Sequence, residues 1–150
     1  MIKEQLKLEN QLCFPVYAAS RLIIRIYQPY LDEIGITYPQ YLVLLVLWET
    51  DEVTVNEISR KLFLNTNTTT PLLKRLEAQG LVTRRRSGED ERKVIIALTS
   101  KGKKLQSKAA YIPGKLSEGL AAGSMGVNEL VDLKGKLYTI IDYLSNKTDV

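Results

Sequence analysis

Between residues 37 and 98 the chain carries start and stop signals so closely spaced that few folds can accommodate them. Thr37 and Gln40 stand three apart with Pro39 between them, the pattern of a capping box opening a helix. The run Tyr41 to Trp48 is apolar on every side, which predicts a buried helix. Thr54 and Glu57 repeat the capping box, and Ile58 and Leu62 form the inner stripe of a short third helix. A break at Leu64-Asn65 precedes Thr66-Asn67-Thr68-Thr69-Thr70-Pro71, and Leu72, Leu73 and Leu76 then mark an amphipathic helix ended by Gly80. Pro71 is expected in the first turn of that helix, where a missing N–H costs nothing. The Thr and Asn side chains then gather at its N-terminal end. Two β-rich runs follow, Leu81 to Arg86 and Lys93 to Leu98, joined by the polar, Gly-containing tip Ser87 to Arg92. Two short helices, a tight turn, a helix with a polar start and a basic hairpin make a winged helix-turn-helix.

The flanks read as helices. From Leu12 to Ile34, apolar residues recur in steps of three and four, with Pro29 as a kink and Gly35 as the C-terminal cap. After the hairpin, Thr99 caps a helix running towards Tyr111, which Pro113-Gly114 interrupts and Leu116 to Ala122 continues. The last helix covers Val127 to Ser145. Its Leu130, Leu133, Leu137, Ile140 and Leu144 form a narrow seam suited to another helix. The expected order is α-α-α-α-β-β-α-α: mainly α with a small β-hairpin, in one domain.

The sequence excludes much chemistry. It has no histidine, so no His-based triad, general base or metal ligand is available. Its single cysteine allows neither an intrachain disulfide nor a Cys-rich zinc site, and no metal or cofactor is expected. No apolar run reaches the ~18 residues of a membrane span, and Met1 to Asn10 lacks a signal core, so the expected location is cytoplasmic.

The charge is local. From Asn65 to Arg86, 22 residues hold the bases Lys74, Arg75, Arg84, Arg85 and Arg86 and one acid, Glu77, a net +4 that equals that of the whole chain. A basic patch on a neutral body fits a polyanion. A helix whose first residues face base edges can read a major groove; Thr66, Asn67, Thr68 and Thr70 can bond bases or phosphates, and Lys74 and Arg75 can reach the backbone. Arg84 and Arg86 extend the patch into the hairpin. Arg92 at the tip can enter a minor groove while Asp90 holds its guanidinium. The plainer alternatives are ordinary capping residues, a solvated Asp90–Arg92 pair, and a basic wing serving an acidic protein partner.

In this order the residues resemble the MarR transcriptional regulators over almost the whole chain, and within them the OhrR branch that senses organic hydroperoxides. The likeness rests on Leu12-Cys13-Phe14, Tyr17, Tyr27, Thr37-Tyr38-Pro39-Gln40-Tyr41-Leu42, Thr70-Pro71-Leu72-Leu73-Lys74-Arg75-Leu76-Glu77, Asp90-Glu91-Arg92, Leu98-Thr99-Ser100-Lys101-Gly102 and Ile112-Pro113-Gly114. The resemblance implies a repressor that is a homodimer. Its dimerisation helices would span about 5–34 and 100–147 and its winged helix-turn-helix about 37–99, on double-stranded DNA with pseudo-palindromic half-sites about 10 bp or a multiple apart. Where the branch has Asp-Ser-Gly-Thr in the recognition helix, this chain has Asn65-Thr66-Asn67-Thr68, a departure that bears on operator sequence rather than on DNA binding.

Cys13 reads two ways. A lone thiol is commonly an inert packing residue. Pro15, lacking an N–H, favours a helix start at Cys13, where the dipole would favour a thiolate. No Lys, Arg or His lies within the five residues after it, so activation falls to hydroxyl donors such as tyrosines, which can equally be interface packing. The resemblance implies that Tyr27 and Tyr38 reach the cysteine of the partner subunit and that Tyr17 lies nearby. A hydroperoxide would then oxidise Cys13 to a sulfenic acid, a low-molecular-weight thiol would condense with it, and the operator would be released. Two rival expectations remain: a regulator controlled by a small phenolic or apolar ligand, with Cys13 merely lining the pocket, and a thiol peroxidase.

Overall fold

The computed structural model describes residues 1, 3–123 and 125–147. Two 3₁₀ turns, Glu4–Leu6 and Leu8–Asn10, lead into α1 (Cys13–Glu33). The helix read from Leu12 to Ile34 thus forms at Cys13–Glu33, and the dimerisation segment expected from about residue 5 begins with these turns, Lys7 between them and Gln11 after them being extended. Next come α2 (Tyr38–Glu49), β1 (Val53–Thr54), α3 (Val55–Lys61), α4 (Thr66–Ala78), β2 (Val82–Arg86), β3 (Val94–Leu98), α5 (Ser100–Ala109), α6 (Ile112–Gly123) and α7 (Val127–Ser145).

Both capping boxes form. Thr37 N donates to Gln40 Oε1 at 2.9 Å and Gln40 N to Thr37 Oγ1 at 3.4 Å; Thr54 and Glu57 exchange the equivalent bonds at 2.7 and 3.2 Å. The hairpin β2–β3 pairs Val82 with Leu98 and Arg86 with Val94. The two-residue β1 escapes a periodicity reading. It pairs Val53 with Ile96, so the sheet has three strands in the order β1-β3-β2.

Two expectations about proline are corrected. Pro71 lies six residues into α4, not in its first turn, because Asn65 caps the helix a turn earlier by accepting from Thr68 N at 3.0 Å. The break after α5 falls at Ala110-Tyr111, and Pro113 sits in the first turn of α6, where its missing N–H is tolerated.

The core joins α2 (Val43, Leu44, Leu47), Ile58 of α3, Leu73 and Leu76 of α4, and Ile96 of β3 with Leu31 and Ile112. Leu45 alone breaks the burial expected for α2 and is exposed. The lobe is sealed to α5 by a close approach. A Cβ on Gly102 would stand 2.1 Å from the Leu81 carbonyl oxygen, and the Gly102 carbonyl accepts from Trp48 Nε1 at 3.0 Å. Gly35 and Gly80, both at φ +71°, end α1 and α4 in the left-handed region that glycine adopts freely. By contrast α1 buries only Leu31, and α7 buries no residue. Phe14, Val16, Leu22 and Ile26 on α1 and Val131, Leu133, Ile140 and Leu144 on α7 stay exposed.

Candidate nucleic-acid interface and thiol site

α4 buries Thr69, Leu72, Leu73 and Leu76 against the lobe. The opposite face, with Asn67, Pro71, Lys74 and Arg75, is open to solvent. Thr66 and Thr68 flank it, and Thr70 is half-buried. The polar cluster divides by role. Thr69 Oγ1 accepts from Ser59 Oγ at 2.9 Å and donates to the Asn65 carbonyl at 3.1 Å, tying α3 to α4 across the turn. Thr68 Oγ1 donates to Asn65 Oδ1 at 3.2 Å and so shares in the cap.

The wing tip is pre-ordered. Ser87 Oγ accepts from Glu89 N and Asp90 N at 3.3 and 3.4 Å. Asp90 Oδ1 accepts from Arg92 N and Arg92 Nε, both at 3.1 Å, while Arg92 Nη2 donates to Oδ2 at 3.4 Å. These bonds from Arg92 hold the Asp90 carboxyl below the usual carboxylate range. The Arg92 side chain is nevertheless 91% exposed, a fixed cation projecting from the tip.

Strand alternation sorts the three arginines of β2. Arg85 faces one side with Glu52 at 3.7 Å. Arg84 shares the inner face with Val82, opposite Ile96, and is only 22% exposed, its Nη1 lying 3.6 Å from Glu77. Arg84 is thus a half-buried linker of α4 and the hairpin, unlike the exposed Arg86.

Cys13 is the first residue of α1 and is exposed. Tyr17 follows one turn later with the Arg21 guanidinium 5.6 Å over its ring, a cation that a search of the five residues after Cys13 misses and that i, i+4 spacing reveals. Tyr27 lies elsewhere, 4.9 Å from Tyr38 and 5.9 Å from Tyr41 between ring centroids. Burial, with Tyr38 and Tyr41 beside it, pushes the Tyr27 phenol up to about 12. At 1.5 Å per residue, the 14 residues from Cys13 to Tyr27 span ~21 Å of one straight helix, far beyond contact. Tyr30 and Tyr41 are packing residues: Tyr30 meets Tyr111 edge-on at 6.0 Å, and Tyr41 meets Trp48 at 6.3 Å.

An outward-facing recognition helix beside a hairpin with a fixed arginine defines the winged helix-turn-helix class. The model of the family "Transcriptional regulator SarA/Rot" matches residues 25–109. The organic hydroperoxide resistance transcriptional regulator of Bacillus subtilis (strain 168) is 49% identical over 144 residues, covering 96% of each chain. Reduced AbfR bound to DNA superposes with a TM-score of 0.78 at 42% identity, covering 96% of this chain and 99% of that one. Overoxidised AbfR bound to DNA gives 0.74 at the same identity and coverage. The chain belongs to this family of MarR-type, winged-helix transcriptional regulators.

Proposed function

We propose that the chain is a homodimeric DNA-binding regulator, a repressor by family habit, that releases its operator when an organic hydroperoxide oxidises Cys13. The observation that carries this reading is the separation of Cys13 from Tyr27 along α1, with Tyr38 of α2 packed beside Tyr27. The two halves of such a sensor meet only if α1 of one copy lies against α1 and α2 of another. The exposed apolar faces of α1 and α7 supply the surfaces for that pairing. The 49% identity to a hydroperoxide-resistance regulator points to the same signal. Thr66, Asn67, Thr68, Thr70, Lys74 and Arg75 would face the major groove and its backbone, Arg84 and Arg86 the wing's phosphates, and Arg92, held by Asp90, the minor groove.

In this mechanism the Cys13 thiolate attacks the peroxide, the O–O bond breaks, and the alcohol leaves as the sulfur becomes a sulfenate. The phenols of Tyr27 and Tyr38 stay protonated at neutral pH and act as donors to the anionic sulfur. The chain holds no second cysteine. A low-molecular-weight thiol therefore condenses with the sulfenic acid, water leaves, and a mixed disulfide remains. Overoxidised AbfR is found bound to DNA, which favours the bulk of the mixed disulfide as the releasing signal in this chain. A useful switch weakens DNA binding by about 1–3 kcal/mol.

The test is fluorescence anisotropy on duplex from the gene's upstream region, before and after an organic hydroperoxide with added thiol. Wild type should release, whereas Cys13→Ser should bind and stay bound; release by Cys13→Ser overturns the sensor. A groove of ~330 Å³ lined by Tyr41, Leu45, Trp48 and Gln106 favours a second reading, an apolar effector, and Cys13 does not line it. Release of the Cys13→Ser protein by a small phenol would select that reading.

A further inference from the structure

One phosphodiester strand separates every major groove of a duplex from the adjacent minor groove. A protein that sets a helix in one and a hairpin tip in the other is crossed by that strand in between. In this chain the space between α4 and the wing is a groove of ~290 Å³, with Asn56, Thr70, Arg84, Arg92 and Lys93 among its walls. Three of these five residues are cations. Asn56, Arg92 and Lys93 are exposed. Arg84 Nε is buried and has no hydrogen-bond partner among the described residues, and the guanidinium has Glu77 beside it, Nη1 lying 3.6 Å from the carboxylate. That N–H is closed to solvent, so a ligand oxygen in the groove would meet the exposed part of the Arg84 side chain rather than Nε. Two acids stand close: Glu77 beside Arg84, and Glu57, which is occupied by its capping bonds from Thr54 and also senses Lys93. The cations outnumber them, and Asp90 is committed to Arg92.

We infer that this groove seats one backbone phosphate of the bound duplex, gripped by Arg84 and Lys93 with Asn56 and Thr70 as neutral donors, and so fixes the spacing of recognition helix and wing. The inference rests on the DNA-binding part of the proposed function. A phosphodiester suits the walls: its two free oxygens accept from a planar guanidinium, a point-charge ammonium and short amide or hydroxyl donors. Asn56 and Lys93 join the interface on this ground, although neither stands out in the sequence. The grip is sequence-independent and positions the base-reading side chains of α4 without itself reading bases.

The experiment scans single methylphosphonates, neutral replacements for phosphate, along each strand of the upstream duplex. Wild type, Lys93→Gln, Asn56→Ala and Arg84→Met are compared by anisotropy at several salt concentrations. Wild type should lose about tenfold in affinity at one position per half-site. Lys93→Gln should lose less than wild type at that position, Arg84 remaining, and its slope of log affinity against log salt should fall by about one. Far-UV circular dichroism checks folding of Arg84→Met, and the exposed Lys93→Gln keeps the test decisive if that variant unfolds. An unchanged slope and scan in Lys93→Gln overturns the inference. So does a flat scan in wild type with thermal stabilisation of the free protein by orthophosphate at fixed ionic strength, which would mark a free-anion site. Absence of any duplex binding by wild type would instead overturn the proposed function itself.

Discussion

Replacing Gly102 by Ala puts a methyl carbon 2.1 Å from a backbone oxygen, that of Leu81. The obstacle is backbone, so no rotamer change relieves it, and α5 must move away by about 1 Å or more to restore ordinary contact. The same Leu81 carbonyl accepts from Thr99 N at 3.0 Å, and the Gly102 carbonyl accepts from Trp48 Nε1 at 3.0 Å. Overpacking of this kind costs about 1–3 kcal/mol, and stretching two hydrogen bonds adds about 1 kcal/mol each. The sum, roughly 3–5 kcal/mol, is a large share of the ~5–15 kcal/mol that holds a typical domain together. The assay is urea unfolding followed by circular dichroism at one protein concentration, since a dimer's apparent stability depends on concentration. With a slope of about 2 kcal/mol/M, the midpoint should fall by about 1.5–2.5 M. Gly88→Ala, whose Cβ would meet nothing within 4 Å, serves as control and should stay within about 0.5 kcal/mol. A Gly102→Ala loss below about 1 kcal/mol with an unchanged slope would refute the close-approach argument.

Other outcomes follow from the same geometry. Tyr27 binds its proton more tightly folded than unfolded, with its phenol near 12 against 10.0, so its contribution to stability is fully present below pH 10 and is lost as pH rises from 10 towards 12. Phenolate absorbance at 295 nm in wild type against Tyr27→Phe checks this; a Tyr27 signal appearing by pH 10 contradicts it. Asp90→Ala should leave the melting temperature nearly unchanged, because the Arg92 side chain is 91% exposed and solvent screens the pair, yet weaken duplex binding several-fold by freeing Arg92, a split that parallel melting and anisotropy measurements detect. Thr69→Val should destabilise by about 1–2 kcal/mol, since it removes the hydroxyl that bonds both Ser59 and the Asn65 carbonyl. A loss below about 0.5 kcal/mol in urea melts would mean that these bonds do not hold α3 to α4.

Much of the fold is legible because its signals are local. Capping boxes at Thr37 and Thr54, αL glycines at 35 and 80, and β-rich runs on either side of a polar, Gly-containing tip each act within a few residues. What was not legible depends on distant partners. β1 is two residues long and exists only because Ile95 and Ile96 offer it an edge. Pro71 reads as a helix start by the preference of proline for first turns, but the cap at Asn65 is the stronger signal. For the site, the wing and the exposed face of α4 are visible as charge and polarity. The inward turn of Arg84 is not, although Val82 and Arg84, two apart on a strand, share a face. The Arg21–Tyr17 stack lies outside the sequence neighbourhood of Cys13, because Arg21 stands four residues beyond Tyr17 along one side of the helix.

The length of α1 has a genetic consequence. If Cys13 of one copy is served by Tyr27 and Tyr38 of the other, damage to the thiol and damage to the phenols lie in different halves of each site. A heterodimer of a Cys13→Ser chain with a Tyr27→Phe, Tyr38→Phe chain would then concentrate both defects in one site and leave the other wholly wild type. Two alleles, each silent to peroxide alone, would restore a response when expressed together.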